Sequence, residues 1–274
     1  MSLLEIKELT HTWGDVRLYK NAEFTLNKGE HIGIVGPNGA GKSTLIKICM
    51  GEVVPDAGQV LWQSGVSVGW LDQYADIDQR LTLEAFLKSA FAELYQTEKE
   101  MMRLYEQASG EDAAERIKRA AACQERLESH DFYSVDTRIA QVAGGLGLSE
   151  LGMERLIGKM SGGQRAKAIL GKLLLEKPDV LLLDEPTNFL DQEHISWLAE
   201  YLAGFPGAFL AVSHDFAFLE RIAGRICDID NERLTKYYGS YSEFLKKKAM
   251  LREDYVRQYA AQQREIKKTQ EFIR

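Results

Sequence analysis

The sequence predicts an α/β protein built around a parallel sheet. Short apolar segments at residues 32–35, 180–183 and 209–212 are typical of buried strands, and a further one at 226–229 continues the series. Helical patterns lie between these segments. Strands that alternate with helices favour a parallel sheet with helices packed against it.

The composition is that of an ordinary folded protein. The chain has 274 residues, of which 45% are apolar and 27% charged. A chain of this length buries about three quarters of its unfolded surface, so it needs no disulfide or metal for stability. Lys and Arg number 34 and Asp and Glu 41, which gives a net charge of −7 and excludes a general polycation. Any contact with nucleic acid therefore has to use a local patch.

Membrane and secretion signals are not evident in the sequence. The longest uncharged run, residues 57–71, is too short and too polar to span a bilayer. No basic stretch followed by an apolar segment opens the chain, so we expect no signal peptide. Cys49, Cys123 and Cys227 lie far apart without metal-ligand spacing and are interpreted as reduced packing residues. These features predict a cytoplasmic protein.

The N-terminal part is predicted to be rich in β-structure. Apolar and polar residues alternate around Leu4 and Ile6 and again around Phe24 and Leu26, with turn residues between them. The strand at 32–35 then runs into a glycine-rich turn. A helix is expected from Lys42 to about Met50.

A helical hairpin is predicted between residues 83 and 127. Apolar residues such as Leu94, Met102, Tyr105 and Ile117 recur there every three to four positions, and residues 109–112 interrupt the pattern. Residues 86–135 carry 7 basic and 10 acidic side chains. This charge fits a solvated helical pair and does not favour phosphate contact along the whole hairpin.

The C-terminal segment differs in charge from the rest of the chain. Residues 242–274 carry nine basic and five acidic side chains and contain no Pro or Gly. The segment has a net charge of +4, so the rest of the chain has a net charge of −11. Such a basic helix is either an interaction surface or a solvated linker, and the sequence leaves both open. The helical pattern runs to the last residue without a cap, so we expect the chain to be a piece of a longer protein.

A phosphate-binding loop is predicted at residues 36–44. The letters GPNGAGKST fit the pattern G-x-x-x-x-G-K-[ST] and lie between a strand and a helix, as the motif requires. Glycines let backbone N–H groups curl around an anion, Lys42 would reach the β- and γ-phosphates, and the Ser43 hydroxyl would bind Mg²⁺. The candidate nucleotide-binding residues are Gly36, Asn38, Gly39, Ala40, Gly41, Lys42, Ser43 and Thr44.

Two carboxylates follow the buried strand at 180–183. Asp184 lies where ligands bind in open α/β sheets, and we expect it to hold Mg²⁺ through water. Glu185 is a candidate general base for an attacking water. Two acids after an apolar run are by themselves more often a loop or a helix cap. Beside the phosphate-binding loop, the catalytic interpretation is favoured.

A second anion-binding helix start is predicted before the helix at 165–175. Ser161, Gly162, Gly163 and Gln164 precede this helix, so their backbone lies at its N-terminus. With the loop at 36–44 before it and the two acids after it, the sequence resembles the ATP-binding-cassette (ABC) family. In that family this signature closes over the ATP of a second cassette. The resemblance therefore implies that hydrolysis needs two cassettes.

Further residues match the ABC family in order. The resemblance implies that Gln73 senses Mg²⁺ and the attacking water, that His214 is the γ-phosphate switch, and that Asp191 belongs to the loop that couples the two sites. Trp13 occupies the place of the aromatic that stacks on adenine, with Tyr19 close enough to compete. Taken singly, Gln73 and His214 would be read as surface residues and Trp13 as a core aromatic.

Three features resemble the ABC-F branch, whose members are soluble tandem cassettes. Residues 185–191 read EPTNFLD, and 88 positions separate Gln73 from Ser161, which leaves room for an inserted helical arm. Residues 238–242 read YGSYS and are followed by Phe244 and three lysines, similar to the motif that opens the inter-cassette linker. Ser240 departs mildly from the usual Asn. The resemblance extends in particular to YfmM-type members of Gram-positive bacteria.

The resemblance implies a specific architecture. The fold would be a P-loop NTPase cassette with a mixed sheet core, an antiparallel β subdomain, a helical signature subdomain and an inserted helical-hairpin arm. The implied division is a first cassette part at 1–85, the arm at 86–135, a second cassette part at 136–241 and the start of the linker at 242–274.

The resemblance also implies an ATPase that acts on the ribosome, as a translation factor or in protection against antibiotics. Its implied partners are ribosomal RNA and tRNA, reached through the arm and linker, and its cofactors are ATP and Mg²⁺. A second cassette would come from the same full-length chain or from a homodimer. The alternative is the ATPase subunit of a membrane transporter. A chromosome-organising cassette would need a longer coiled coil, and an intact Glu185 and His214 argue against an ATP clamp without hydrolysis.

Overall fold

The computed structural model of the protein describes residues 1–71, 77–109 and 112–273, with side chains described up to residue 263. The strands, in chain order, are β1 (Ser2–Trp13), β2 (Val16–Asn27), β3 (His31–Val35), β4 (Ala57–Trp62), β5 (Val68–Trp70), β6 (Val180–Asp184), β7 (Ala208–Val212), β8 (Arg225–Asp230) and β9 (Arg233–Tyr238). The α-helices are α1 (Lys42–Met50), α2 (Leu83–Lys88), α3 (Ala92–Glu106), α4 (Ala113–Ser129), α5 (Val135–Gly145), α6 (Gly162–Glu176), α7 (Gln192–Ala203), α8 (Phe216–Ile222) and α9 (Tyr241–Ile273).

The chain divides into two compact units. The first, called the discontinuous unit, consists of Met1–Ser64 and Ala203–Arg274, and the second, called the central unit, is Gly65–Leu202. This division differs from the four parts expected from the sequence. The boundaries at residues 85, 135 and 241 stay a prediction.

An antiparallel sheet opens the discontinuous unit. Its strand order is β2-β1-β4, and Leu4 and Ile6 of β1 face Leu26 and Phe24 of β2 across the pair. All four side chains are buried. The alternation seen in the sequence therefore marks one buried face, as expected for an antiparallel sheet.

A second sheet region of the discontinuous unit is mainly parallel. β3 pairs in parallel with β7 on one side and with β8 on the other, and β9 pairs antiparallel with β8. Every residue of β7 and four of the five residues of β3 are buried. Strands covered on both faces read as continuous apolar runs, and for that reason the sequence identifies them.

The central unit contains a short parallel pair and several helices. β5 pairs in parallel with β6, in the register Val68 to Val180 and Trp70 to Leu182. The N–H and hydroxyl of Ser67 both donate to Asp179 Oδ2, at 2.9 and 2.7 Å, just before the two strands begin. These bonds fix the register of a pair with only three residues in its shorter strand.

The predicted helical pair is present as α3 and α4. Glu93 pairs with Arg126 and Glu100 with Arg119, so the helices run antiparallel. The run from residue 83 is not continuous, because α2 ends at Lys88 and a 3₁₀ turn, Ser89–Phe91, precedes α3. Several residues of the expected apolar stripe stay largely exposed, among them Met102 at 52% and Ile117 at 49%. A two-helix hairpin covers only one side of each helix, which explains the exposure.

The basic C-terminal segment forms the 33-residue helix α9. Its first turns pack on the discontinuous unit through the buried ring of Phe244. None of the helices in the described part of the chain combines the length and apolar character that crossing a bilayer requires.

Candidate functional site

The glycine-rich loop of the discontinuous unit connects β3 to α1. Gly41 has φ +98°, and a Cβ at this position would lie 2.6 Å from the Tyr19 hydroxyl oxygen. At Gly36 a Cβ would lie 2.7 Å from the backbone oxygen of Ile229. Two of the predicted loop glycines are therefore required by backbone geometry or by close approach of neighbouring atoms.

The loop ends at a helix N-terminus that has no side-chain cap. Gly41 is the N-cap residue of α1 and offers no capping side chain to the first N–H groups of the helix. The Lys42 ammonium folds over the loop and donates to the carbonyl oxygens of Gly36 at 3.0 Å and Pro37 at 3.1 Å. A helix N-terminus without a side-chain cap, beside a lysine, fits a phosphate group. This part of the structure agrees with a nucleotide site at residues 36–44.

Tyr19 supports this loop and is a site residue whose role the sequence did not indicate. Its side chain is fully buried, and its hydroxyl donates to the carbonyl oxygen of Gly41 at 2.5 Å. Burial raises the pKa of Tyr19 far above its ordinary value, so the hydroxyl stays protonated. Tyr19 has no free face for a base. Trp13, at the end of β1, is 60% exposed and has the open ring that stacking requires.

His214 follows β7 in the same unit. β7 pairs in parallel with β3, with Val212 beside Ile34, so the carboxyl ends of both strands lie at the same edge. The phosphate-binding loop leaves one strand end and His214 follows the other. His214 is exposed, while Ser213 before it is buried. The discontinuous unit thus brings the predicted loop and the predicted switch residue to one sheet edge.

Asp184 and Glu185 lie at the carboxyl end of β6 in the central unit. The strand itself is buried from Val180 to Leu183, and both acids are half-buried. Glu185 has φ +48°, a left-handed conformation that a residue with a side chain seldom adopts. Such backbone conformations cost roughly 1–3 kcal/mol and concentrate at functional sites. The turn after the strand is closed by the N–H of Asn188, which donates to the Glu185 carbonyl at 3.3 Å.

Gln73 lies outside the described residues, so its expected role stays a prediction. The strand before it, β5, continues its pairing with β6 to the bond from Leu71 N–H to the Leu182 carbonyl, 3.1 Å. The carboxyl ends of these two strands are therefore adjacent within the central unit.

The signature residues form a complete capping box at the start of α6. The Gln164 N–H donates to Ser161 Oγ at 3.3 Å, and the Ser161 N–H donates to Gln164 Oε1 at 3.0 Å. Ser161, Gly162 and Gly163 are exposed. A Cβ on Gly163 would lie 3.6 Å from Phe189 Cβ, so the helix start is close to the loop that follows Glu185. The signature therefore presents backbone to solvent beside that loop.

Asp191 caps the helix that follows. Its Oδ1 accepts the backbone N–H of His194 at 3.2 Å, at the start of α7. This bond holds the pKa of the Asp191 carboxyl below its usual range, and the charges of His194 and Lys167 lower it further. His194 itself packs closely on Gly147, where a Cβ would lie 2.2 Å from its Nε2. Asp191 thus caps the start of α7 from an exposed position.

The metal-binding potential of the described residues is limited to isolated oxygen ligands. No three His, Cys, Asp or Glu side chains group together in the described ranges. Mg²⁺ is usually held by one or two protein oxygens together with substrate phosphates. Ser43 in α1 of the discontinuous unit and Asp184 at the end of β6 in the central unit each supply one oxygen of that kind.

Comparison with protein families identifies the chain. The model described as ABC transporter matches residues 19–188, and a second model with the same description matches residues 227–274. The chain belongs to the ABC transporter family. It is an ATP-binding domain of that family, and the matched range includes the phosphate-binding loop, the signature, Asp184 and Glu185. Trp13, Asp191 and His214 lie outside both matched ranges.

The curated relatives confirm the resemblance to YfmM-type and ABC-F-like proteins. The uncharacterized ABC transporter ATP-binding protein YfmM of Bacillus subtilis is 40% identical over all of this chain and 53% of its own length. The tylosin resistance ATP-binding protein TlrC of Streptomyces fradiae is 35% identical over 94% of this chain and 48% of its own length. The energy-dependent translational throttle protein EttA of Escherichia coli K12 is 34% identical, with coverages of 94% and 46%. The chain spans about half the length of the curated relatives it matches.

Solved structures confirm the expected fold. An ATP-binding subunit of an ABC transporter superposes with a TM-score of 0.64, at 22% identity, over 93% of this chain and 98% of that one. A nucleotide-free ATP-binding cassette from an ABC transporter gives a TM-score of 0.57 at 19% identity, with coverages of 90% and 94%. The expected α/β cassette, with a mixed sheet and an antiparallel sheet, is therefore correct.

Proposed function

We propose that the chain is the ATP-hydrolysing cassette of a soluble, cytoplasmic ABC-F protein that acts on the ribosome. The observation that carries the ATPase part is the common sheet edge of the phosphate-binding loop and His214, with β3 and β7 paired in parallel. A loop that binds phosphate and a histidine that follows the neighbouring strand have the placement needed to contact the same triphosphate.

Each site residue has one role in this proposal. Residues 36–44 hold the phosphates, Trp13 stacks on adenine, and Ser43, Gln73 and Asp184 hold Mg²⁺. Bound Mg²⁺ would neutralise charge on the phosphate oxygens. Glu185 accepts a proton from the water that attacks the γ-phosphorus, the bond to the β-phosphate oxygen breaks, and ADP and phosphate form. His214 stabilises the charge that develops on the γ-phosphate.

A second cassette is part of the proposal. The signature residues Ser161, Gly162, Gly163 and Gln164 would contact the ATP held by another cassette, and Asp191 would lie between the two sites. Exposure of the signature backbone supports this role, because a buried helix start could not reach a partner's nucleotide. The partner cassette belongs to the same full-length protein or to a second copy.

The ribosomal part of the proposal is supported by relatives and by two helical features. EttA is named as a translational throttle and TlrC as a tylosin resistance protein. The hairpin of α3 and α4 corresponds to the proposed arm, and α9 carries the basic residues needed for phosphate contact with ribosomal RNA and tRNA. Translation control and antibiotic protection both agree with these features.

Ribosome co-sedimentation tests this proposal. The full-length protein carrying Glu185→Gln should retain ATP and pellet with ribosomes only when ATP is added. The matched control adds Lys42→Ala to the same protein, which should abolish ATP binding at this cassette and the pelleting with it. A Glu185→Gln protein that holds ATP but stays in the supernatant would contradict the ribosomal role, and co-purification with a membrane protein would then favour a transporter subunit.

A further inference from the structure

The start of α9 is joined to α8 by two contacts on one face of α8. The rings of Phe216 and Tyr241 are stacked, with centroids 4.8 Å apart and planes 4° from parallel. The backbone N–H of Ser242 donates to Glu220 Oε2 at 2.7 Å. Phe216 and Glu220 are four residues apart on α8, so their side chains lie on the same helix face. The first turn of α9 is therefore held against that face.

The α8 end of this connection leads directly to His214. Phe216 is the first residue of α8, and only Asp215 separates it from His214. Asp215 is fixed on both sides, since its N–H donates to Ser213 Oγ at 3.0 Å and its Oδ1 accepts the N–H of Phe218 at 3.0 Å. A displacement of the Phe216 backbone is therefore passed to His214, because the intervening residue has little freedom to absorb it.

The α9 end of the connection is anchored to the sheet. The Lys248 ammonium lies 2.5 Å from Asp228 Oδ2 and 3.2 Å from Asp230 Oδ2, both on or at the end of β8. The buried ring of Phe244 contacts the rings of Tyr237 and Tyr241. Beyond Lys248 the helix presents exposed side chains, such as Leu251 and Tyr255. Force applied to the exposed part of α9 would therefore act on the anchored turns that carry Tyr241.

Phe216 contributes little to the core of α8. The core contacts come from Phe218, Leu219 and Ile222, which are almost fully buried, whereas Phe216 is 50% exposed. Loss of a half-exposed ring costs much less stability than loss of a core ring. Its stacking on Tyr241 can therefore be tested separately from folding.

We propose that Phe216 and Tyr241 are positioning residues for His214, so that the seating of α9 on α8 sets the rate of ATP hydrolysis. The proposal rests on the proposed function, because it takes His214 as the residue that contacts the γ-phosphate. It adds a structural route by which a macromolecule bound along α9 changes turnover in this cassette.

A kinetic mutant cycle on the full-length protein tests the proposal. Phe216→Ala and Tyr241→Ala should each lower kcat by about three- to tenfold without changing KM for ATP, because the positioning of His214 changes and the phosphate-binding loop does not. The double variant should be no slower than Tyr241→Ala alone, since that variant already removes the stack with Phe216. Tyr241→Phe keeps the ring and should retain wild-type kcat.

The control variant is Tyr238→Ala. Tyr238 is an exposed aromatic residue three positions before Tyr241, and its ring lies on Arg225 rather than on Phe216. It should leave kcat unchanged. Thermal unfolding of every variant shows whether the fold is intact. A Phe216→Leu variant, which keeps part of the apolar contact with Tyr241, should give an intermediate kcat.

The cycle is completed in a His214→Ala background. There Phe216→Ala should cause no further loss of kcat, because the residue that it positions is gone. A folded Phe216→Ala protein with wild-type kcat, or an equal loss in both backgrounds, would overturn the proposal. If His214→Ala itself leaves turnover unchanged, the role of His214 in the proposed function fails, and this proposal fails with it. If His214→Ala is slow but Phe216→Ala is not, only this proposal fails.

Discussion

The hydroxyl of Tyr19 lies 2.5 Å from the carbonyl oxygen of Gly41, the N-cap residue of α1. A buried tyrosine of the antiparallel sheet thereby fixes the conformation of the phosphate-binding loop. The loop is not an autonomous motif in this protein, because its last glycine is held by a side chain from β2.

Removal of this hydroxyl should weaken nucleotide binding and the fold together. Tyr19→Phe removes one of two donors to the Gly41 carbonyl, which still accepts the Leu45 N–H at 2.8 Å, and should lower the free energy of unfolding by about 0.5–1.5 kcal/mol. ATP affinity should fall a few-fold, since the loop becomes less well ordered. Urea unfolding and titration with a fluorescent ATP analogue measure the two effects. Tyr105→Phe, at a largely exposed ring with a weak 3.4 Å bond to Gln124, is the control and should change neither.

A methyl group at Gly41 should abolish ATP binding. The Cβ of Gly41→Ala would meet the Tyr19 hydroxyl oxygen at 2.6 Å, in a residue whose φ is +98°. Gly65→Ala separates the effect of the close contact from that of the positive φ, because Gly65 has φ +80° but open space around its Cβ position. That control should cost only about 1 kcal/mol of stability and retain full ATP affinity. Equal ATP affinity in the two variants, measured by calorimetry, would contradict the steric argument.

Adjacent glycines of α5 should respond oppositely to the same substitution. A Cβ on Gly145 would lie 1.9 Å from Trp197 Cε2, whereas a Cβ on Gly144 would meet nothing within 4 Å. Gly145→Ala should therefore destabilise the protein by roughly 1–3 kcal/mol through overpacking. Gly144→Ala should raise stability by roughly 0.5–1 kcal/mol, because alanine is the better helix former. Differential scanning calorimetry of both variants measures the sign of each stability change. Two changes of the same sign would show that Trp197 does not pack as described.

The cap at Asp191 should make stability dependent on pH in the acid range. The N–H of His194 holds the pKa of Asp191 below its usual range, so the folded state binds the proton less tightly than the unfolded state. Its contribution is present above the unfolded value of about 3.9 and is lost as pH falls through the lower folded value.

Asp191→Asn keeps an oxygen acceptor for the cap but removes this titration. The difference in melting temperature between wild type and Asp191→Asn should be largest above about pH 5 and should shrink as the pH approaches 3. Glu200→Gln, which changes the net charge equally at an exposed position of the same helix, should show no such convergence. A difference that stays constant from pH 3 to pH 7 would contradict the role assigned to the Asp191 carboxylate.

The sequence predicted those elements whose pattern is imposed locally. The buried strands read as apolar runs because both faces are covered, and the loop at residues 36–44 is specified by glycines, a lysine and hydroxyl residues in a fixed order. The capping box of Ser161 and Gln164 depends on residues three apart, so it too can be recognised in the chain. The division into units was not predicted, because it depends on contacts between residues far apart in sequence.

Sequence by itself determined the family, the α/β fold and the candidate nucleotide residues, since these follow from short-range order and hydrophobic period. Only the tertiary structure decided that Tyr19 is a buried support of the loop while Trp13 keeps an open ring, because burial depends on what folds over each side chain. Likewise, only the structure placed Phe216 on Tyr241. These residues begin α8 and α9 and are 25 positions apart, and no local sequence pattern encodes a contact over that separation.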